Sequence, residues 1–148
     1  MAKTLSDIHK LKVSNWSFSE FIEGQLFFAE QHFRNNTIDL EEFVFDGEFI
    51  EPETLLNWLK DNKPTDGKVT LIHGDYRPKN ILWHKKGIEA VVDWAFCDIG
   101  DPYYDFAIFK DYLNNDEERM IFLQNYGIDS FDKGRLNYYD RMMRFINI

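Results

Sequence analysis

The feature that most constrains the fold of this chain is the stretch LIHGDYRPKNILW at residues 71–83. It places Asp75 and Asn80 five positions apart, between runs of aliphatic residues that predict β-strands. Polar side chains on a loop are well positioned for binding or catalysis when strands hold both ends of the loop. We therefore expect a functional loop between His73 and Asn80.

A β-hairpin is predicted immediately after this loop. Two β-prone runs flank residues 85–87 in NILWHKKGIEAVVDWAF, and Gly87 suits the connection between two strands. Asp93 stands at the end of the second run. We predict that the side chains at positions 75, 80 and 93 converge on a divalent cation in a shared cleft.

The types of these residues favour phosphoryl transfer. An Asp on such a loop can accept the proton of a hydroxyl group, while an Asn oxygen and a second Asp are hard ligands of the kind that Mg²⁺ prefers. Protein kinases have the same Asp-to-Asn spacing in H-R-D-x-x-x-x-N, and this chain has H-G-D-Y-R-P-K-N followed by D-W-A. A single Asp or Asn at a strand end is usually a turn former, so the ordered set carries the prediction.

The motifs HGDYRPKNILW and IEAVVDWAFCDIGDPYYDFA resemble those of the aminoglycoside phosphotransferase and choline kinase family, the small-molecule branch of the protein-kinase-like fold. The opening LSDIHKL resembles the helix that follows the hinge in that family. The resemblance implies an α+β, mainly helical fold over residues 1–148, a single domain that corresponds to the C-terminal lobe of a protein-kinase-like fold. A short β-hairpin in this lobe would carry the catalytic and metal residues.

The resemblance also implies a role for each residue of the motif. Asp75 would be the catalytic base or would orient the acceptor hydroxyl, and Asn80 and Asp93 would hold the Mg²⁺ that is bound to ATP. Arg77 would stabilise charge on the transferring phosphoryl group, because a planar guanidinium suits phosphoryl oxygens. A solvated charge or a salt-bridge partner is the open alternative for Arg77.

Other polar residues are expected to be structural. The resemblance implies that His73 is a scaffold residue of the loop and that the buried Asp105 ties the following helix back to it. Asp101 is a candidate helix cap before Pro102. The remaining histidines lack the spacing of a zinc site.

Composition excludes several classes of protein. The net charge is −9, from 26 acidic and 17 basic residues, and no basic run is long, so nucleic acid is not an expected partner. The single cysteine, Cys97, excludes an internal disulfide and fits a reducing compartment. The sequence has no apolar run of about 20 residues and no signal-peptide core at its start, so we expect a cytoplasmic protein without a membrane partner.

Helical periodicity is found on both sides of the hairpin. Between residues 34 and 51 the pattern does not distinguish helix from strand. The helices are predicted at about residues 1–11, 18–33, 52–62, 101–113, 116–126 and 132–147.

The expected function is transfer of the ATP γ-phosphate to a hydroxyl of a small acceptor. The acidic, aromatic-rich composition favours a cationic acceptor such as an aminoglycoside or a choline-like alcohol, although sugars and nucleoside-like acceptors use the same scaffold. A metal-dependent phosphohydrolase is less favoured, because few further carboxylates stand at fixed spacing.

The sequence has neither a glycine-rich phosphate loop nor the strand Lys that pairs with ATP phosphates. We therefore expect that the N-terminal nucleotide-binding lobe is absent and that the chain alone is a weak or inactive kinase. Another chain could supply that lobe, or the chain could self-associate. The alternative function is a truncated, catalytically inactive kinase-like module that acts in binding or oligomerisation.

Overall fold

The structure is a computed structural model that describes residues 1–13, 16–45 and 47–146. In these residues six α-helices are combined with three two-stranded antiparallel sheets. The helices are α1 Ala2–Ile8, α2 Phe18–Arg34, α3 Pro52–Asp61, α4 Tyr103–Phe109, α5 Asp116–Tyr126 and α6 Lys133–Met142. The strands are β1 Val44–Phe45, β2 Glu48–Phe49, β3 Thr70–Ile72, β4 Ile81–His84, β5 Gly87–Val91 and β6 Asp98–Gly100. Short 3-10 helices span Leu40–Glu42, Pro78–Asn80, Lys110–Tyr112 and Met143–Phe145.

The predicted helices are confirmed, and local signals explain where they begin. A capping box starts α2, because the Ser17 hydroxyl accepts the Glu20 N–H and the Glu20 carboxylate accepts the Ser17 N–H. Pro52 occupies the first turn of α3, where its missing N–H costs nothing. The last helix ends at Met142 and continues as a 3-10 turn to Phe145, and the predicted residue 147 lies outside the described residues.

Helix α4 joins the two halves of the hydrophobic core. One cluster packs α2, α3 and α6 against Tyr104, Ala107 and Ile108, while the other packs α1 and α5 against Phe106 and Phe109. Apolar side chains on all sides therefore hold α4 in place, and burial of each large side chain contributes about 1.5–3 kcal/mol. This environment fixes the position of Asp105, which is in the middle of the helix.

Two antiparallel pairs frame the loops of interest. Strands β3 and β6 pair Thr70 with Gly100 and Ile72 with Asp98. Strands β4 and β5 form the predicted hairpin, with a bulge in the register after Leu82. The loop of residues 73–80 leaves β3 and enters β4, and the loop of residues 92–97 leaves β5 and enters β6. Both loops are consequently held at both ends by paired strands.

Two local details refine the sequence analysis. The ambiguous segment after α2 contains a 3-10 turn and the small β1–β2 hairpin. Asp101, predicted as the cap of α4, lies one residue before the observed N-cap, Pro102, because the helix begins at Tyr103 and not at Pro102. Its carboxylate still accepts the Tyr103 N–H at 2.9 Å. Among the described residues, no helix has both the length and the apolar character needed to cross a membrane.

Candidate active site

The loop of residues 73–80 turns sharply at Gly74. This glycine has φ +81°, and a Cβ atom at the same position would overlap the backbone carbonyl of Phe96. A left-handed conformation and close backbone contact both require glycine here. The sequence HGD therefore allows the two loops to pack directly against each other.

Asp105 holds the start of this loop. Its carboxylate accepts the backbone N–H groups of His73 and Gly74, each at 2.8 Å, and the side chain is fully buried. The buried His9 ring donates Nε2–H to the same carboxylate at 2.9 Å. These charge-assisted hydrogen bonds join α1, the loop and α4, which confirms the predicted structural role of Asp105.

The other ring nitrogen of His9 lies 2.8 Å from the Tyr126 hydroxyl on α5. Burial, together with the charge of Asp105, raises the pKa of Tyr126, so the hydroxyl stays protonated at neutral pH. The buried polar chain therefore runs from the loop through the Asp105 carboxylate and the His9 ring to a neutral Tyr126 hydroxyl on α5.

His73 connects the two loops. Its Nδ1 accepts the Asp75 N–H at 3.2 Å, and its Nε2 donates to the Val92 carbonyl at 3.0 Å. The ring also packs against Trp94, with 4.5 Å between ring centroids. These contacts confirm the scaffold role that was predicted for His73.

Asp75 and Asn80 are brought into direct contact. The Asn80 Nδ2 donates to the Asp75 backbone carbonyl and to Asp75 Oδ2, both at 2.8 Å. Both partners are acceptors, so the amide nitrogen must face Asp75 and the amide oxygen must point away from it. The two side chains are 2% and 5% exposed, which means that the arrangement is shielded from competing water.

Arg77 and Lys79 surround the same carboxylate. The Arg77 guanidinium forms an ion pair with Asp75 Oδ1, and the Lys79 ammonium lies 3.4 Å from Oδ2. In the structure Arg77 is therefore a salt-bridge partner, as the alternative prediction for this residue stated. Sequence reasoning missed Lys79, although its position four residues after Asp75 was a usable signal.

The backbone beside Asp93 is hydrogen-bonded to the loop of residues 73–80. The Val92 N–H donates to the Asn80 carbonyl at 2.9 Å, and Asp93 is the next residue. Its side chain is exposed, and its φ of +63° is uncommon for a residue other than glycine. Such strain often occurs where the backbone must direct a side chain toward a ligand.

The chemistry of Asn80 and Asp93 fits Mg²⁺ held jointly with a phosphate ligand. Mg²⁺ commonly takes one or two protein oxygens and completes its shell with water and substrate phosphates. No group of three or more His, Cys, Asp or Glu side chains suited to a metal occurs in the described part of the chain. Asn80 and Asp93 would together supply two oxygen ligands, a number that Mg²⁺ accepts when water and phosphate complete its shell.

A cavity of about 520 Å³ opens beside Arg77. Asp39 at its edge caps the following 3-10 turn by accepting the Glu41 N–H at 3.0 Å. The wall combines charged groups with apolar side chains from α4 and from the turn after α6. Its lining residues are Asp39, Glu42, Arg77, Ala107, Ile108, Asp111, Tyr112, Asp140, Met143, Arg144 and Ile146.

The fold described above is kinase-like, as comparison with solved structures shows. A family model described as "Phosphotransferase enzyme family" matches residues 1–144, and the chain belongs to that family.

Three relatives illustrate the relationship. The aminoglycoside 3'-phosphotransferase of Niallia circulans is 25% identical over 148 residues, which are 97% of this chain and 56% of the relative. The structure of a Streptomyces rimosus aminoglycoside phosphotransferase in complex with ADP and streptomycin has a TM-score of 0.76 and 16% identity, and the match covers 97% of this chain and 60% of that one. A choline/ethanolamine kinase family protein from Mesorhizobium loti has a TM-score of 0.67 and 15% identity, and the match covers 97% of this chain and 49% of that one.

These comparisons confirm the predicted family and the kinase-like fold. The chain spans 56% of the Niallia circulans relative and 60% of the Streptomyces rimosus structure, which is less than two thirds in each case.

Proposed function

We propose that this chain is the C-terminal lobe of a small-molecule kinase, which transfers the γ-phosphate of ATP to a hydroxyl of a small acceptor. The observation that carries the proposal is the double hydrogen bond from the Asn80 amide to Asp75. It holds a candidate base and a candidate metal ligand in one rigid unit. The phosphotransferase family of the chain supports the same class of reaction.

Each residue of the loop has a distinct role in this proposal. Asp75 would orient the acceptor hydroxyl and accept its proton, while Arg77 would contact the phosphoryl oxygens. Asn80 and Asp93 would hold Mg²⁺, and the bound ion would neutralise charge on the ATP phosphates. The ion pair between Arg77 and Asp75 keeps both charges partly neutralised until nucleotide and acceptor bind.

The acceptor would occupy the cavity beside Arg77. This cavity shares Arg77 with the loop, and Arg77 is paired with Asp75, so a hydroxyl group bound there would lie beside that ion pair. The relative from Streptomyces rimosus was solved with ADP and streptomycin, which supports both a nucleotide and a small-molecule acceptor for this chain.

A nucleotide-binding lobe would pack near the β4–β5 hairpin. Leu82, Trp83 and Phe96 are 47%, 59% and 44% exposed, and they lie on β4 and on the loop that contacts Gly74. Exposed apolar side chains of this kind are favourable contacts for another protein surface. A chain that carries such a lobe would contact these side chains in the cytoplasm, where ATP and reduced cysteine are available. Self-association of this chain through the same surface is the alternative.

Titration of the purified chain with ATP in the presence and absence of Mg²⁺ tests the proposal. Asp93→Asn should weaken Mg·ATP binding by about tenfold or more, because it removes a charged metal ligand. Asparagine tolerates the left-handed backbone at this position, so the substitution leaves the loop intact. Asp129→Asn, an exposed site away from the loop, is the matched control.

The proposed metal site is wrong if Asp93→Asn binds Mg·ATP as tightly as the wild type. The alternative, an inactive binding or oligomerising module, predicts no Mg-dependent nucleotide binding by the wild type. It also predicts a molecular mass that rises with protein concentration in analytical ultracentrifugation.

A further inference from the structure

The carboxylates of the acceptor cavity already have cationic partners. Glu42 pairs with Arg144 at 2.8 Å, and Asp111 pairs with Lys110 at 2.6 Å. Asp140 contacts both cations, with Lys110 at 3.0 Å and Arg144 at 3.4 Å. Three of the four acids on the wall are therefore neutralised from within the protein.

These cations are held firmly. The side chains of Arg144, Lys110 and Asp140 are only 23%, 25% and 20% exposed, so solvent screens the two ion pairs of Asp140 less than it screens surface pairs. Glu42 and Asp111 are more exposed, and their pairs are screened more. The Arg144 guanidinium also lies 5.3 Å from the centre of the Phe45 ring. Burial acts to lower the pKa of Lys110, but hydrogen bonding and charge from Asp111 and Asp140 outweigh it and raise that pKa. Both groups are charged at neutral pH.

The local charge balance differs from that of the whole chain. Among the described residues, two cations, Arg77 and Arg144, line the cavity together with its four acids. A third cation, Lys110, does not line the cavity but pairs with two of these acids. Adding Asp75 and Lys79 of the loop leaves the same excess of one negative charge. This excess is much smaller than the −9 of the whole chain. An acceptor with several cationic groups would therefore gain little attraction and would lie against the positive side chains of Arg77 and Arg144.

Resting on the proposed function, we infer that Arg144 and Lys110 are specificity-determining residues that mask the carboxylates of the acceptor cavity. The site takes a hydroxylated acceptor with one cationic group at most and rejects polycations. The apolar part of the wall, which includes Ala107, Ile108 and Met143, contacts the uncharged body of such an acceptor. Specificity of this kind comes from a repulsive element as well as from attraction.

Binding of streptomycin and choline to the purified chain tests the inference, because the former has several cationic groups and the latter has one. Arg144→Gln should raise the affinity for streptomycin about tenfold at low salt and change the affinity for choline about twofold or less. Arg144→Lys keeps the charge and should behave as the wild type does. Arg119→Gln, an exposed arginine on α5, controls for the change in net charge.

Lys110→Gln provides a second removal of charge if Arg144→Gln perturbs the fold, and urea unfolding identifies any variant that does. The inference is overturned if neither glutamine variant binds streptomycin more tightly than the wild type, whether the wild type binds it well or not at all. Mg·ATP binding measured on the same samples separates the two proposals. Normal nucleotide binding with unchanged streptomycin affinity would refute the charge mask alone.

Discussion

Replacing Asp105 by alanine should sharply destabilise the chain. The substitution removes the acceptor for three buried donors, the backbone N–H groups of His73 and Gly74 at 2.8 Å and His9 Nε2 at 2.9 Å. Leaving a buried donor unsatisfied costs about 1–3 kcal/mol, and three donors are affected at once. We expect a loss of about 3–5 kcal/mol, a large part of the roughly 5–15 kcal/mol that stabilises a typical domain.

Asp105→Asn provides a graded version of the same change. One amide oxygen can still accept from the His73 N–H and from His9, while the new NH₂ group faces the Gly74 N–H. One donor is then unsatisfied instead of three, so the expected loss is about 1–3 kcal/mol. The order of stability should be wild type, then Asp105→Asn, then Asp105→Ala.

Urea unfolding followed by tryptophan fluorescence measures this series, because Trp94 packs against His73 and reports on the loop. Asp129→Ala, at an exposed position, should lie within about 0.5 kcal/mol of the wild type. If Asp105→Ala lowers the free energy of unfolding by less than about 1 kcal/mol, the carboxylate does not hold the loop as described, because three unsatisfied buried donors should destabilise the fold by more than that.

Two further predictions concern the packing around the site. Gly74→Ala should cost more than about 2 kcal/mol in urea unfolding, because left-handed strain adds to a clash with Phe96, whereas Gly127→Ala, with φ +94° and open space, should cost only about 1–2 kcal/mol. Arg135→Met should cost about 3–5 kcal/mol at neutral pH, because it strips the buried Asp101 of its 2.9 Å ion pair. Burial raises the pKa of Asp101 above 3.8, despite its hydrogen bond from Tyr103 and the charge of Arg135. Acidification should protonate Asp101 and so reduce the loss of stability caused by Arg135→Met. A loss that grows on acidification would contradict the argument.

The contacts within the loop were predictable because they are local. The spacing between Asp75 and Asn80 allows one 3-10 turn to bring the amide back onto the carboxylate. Gly87 marks the hairpin that returns the chain to Asn80, where Val92 forms its hydrogen bond. In each case fewer than twenty residues separate the partners, so strand and turn patterns are sufficient to place them.

The supporting contacts could not be predicted from residue patterns in the same way. His9 and Asp105 are 96 positions apart, and Asp101 and Arg135 are 34 apart. Their meeting depends on how α1, α4 and α6 pack, which helical periodicity does not specify. A buried carboxylate must find donors somewhere in the fold, but the sequence does not say which of the available side chains will supply them.

The overall acidic composition does not determine the charge of one cavity, for a related reason. Net charge is a sum over the whole chain, whereas recognition depends on the charges that line one cavity and on the partners that these charges already have. Glu42 and Asp140 would attract a cationic acceptor if they were free, but Arg144 reaches both of them from the turn after α6. Arg144 alone therefore makes the charge of the cavity less negative than the composition of the whole chain suggests. Its effect is visible only once tertiary structure has brought residues 42, 140 and 144 together.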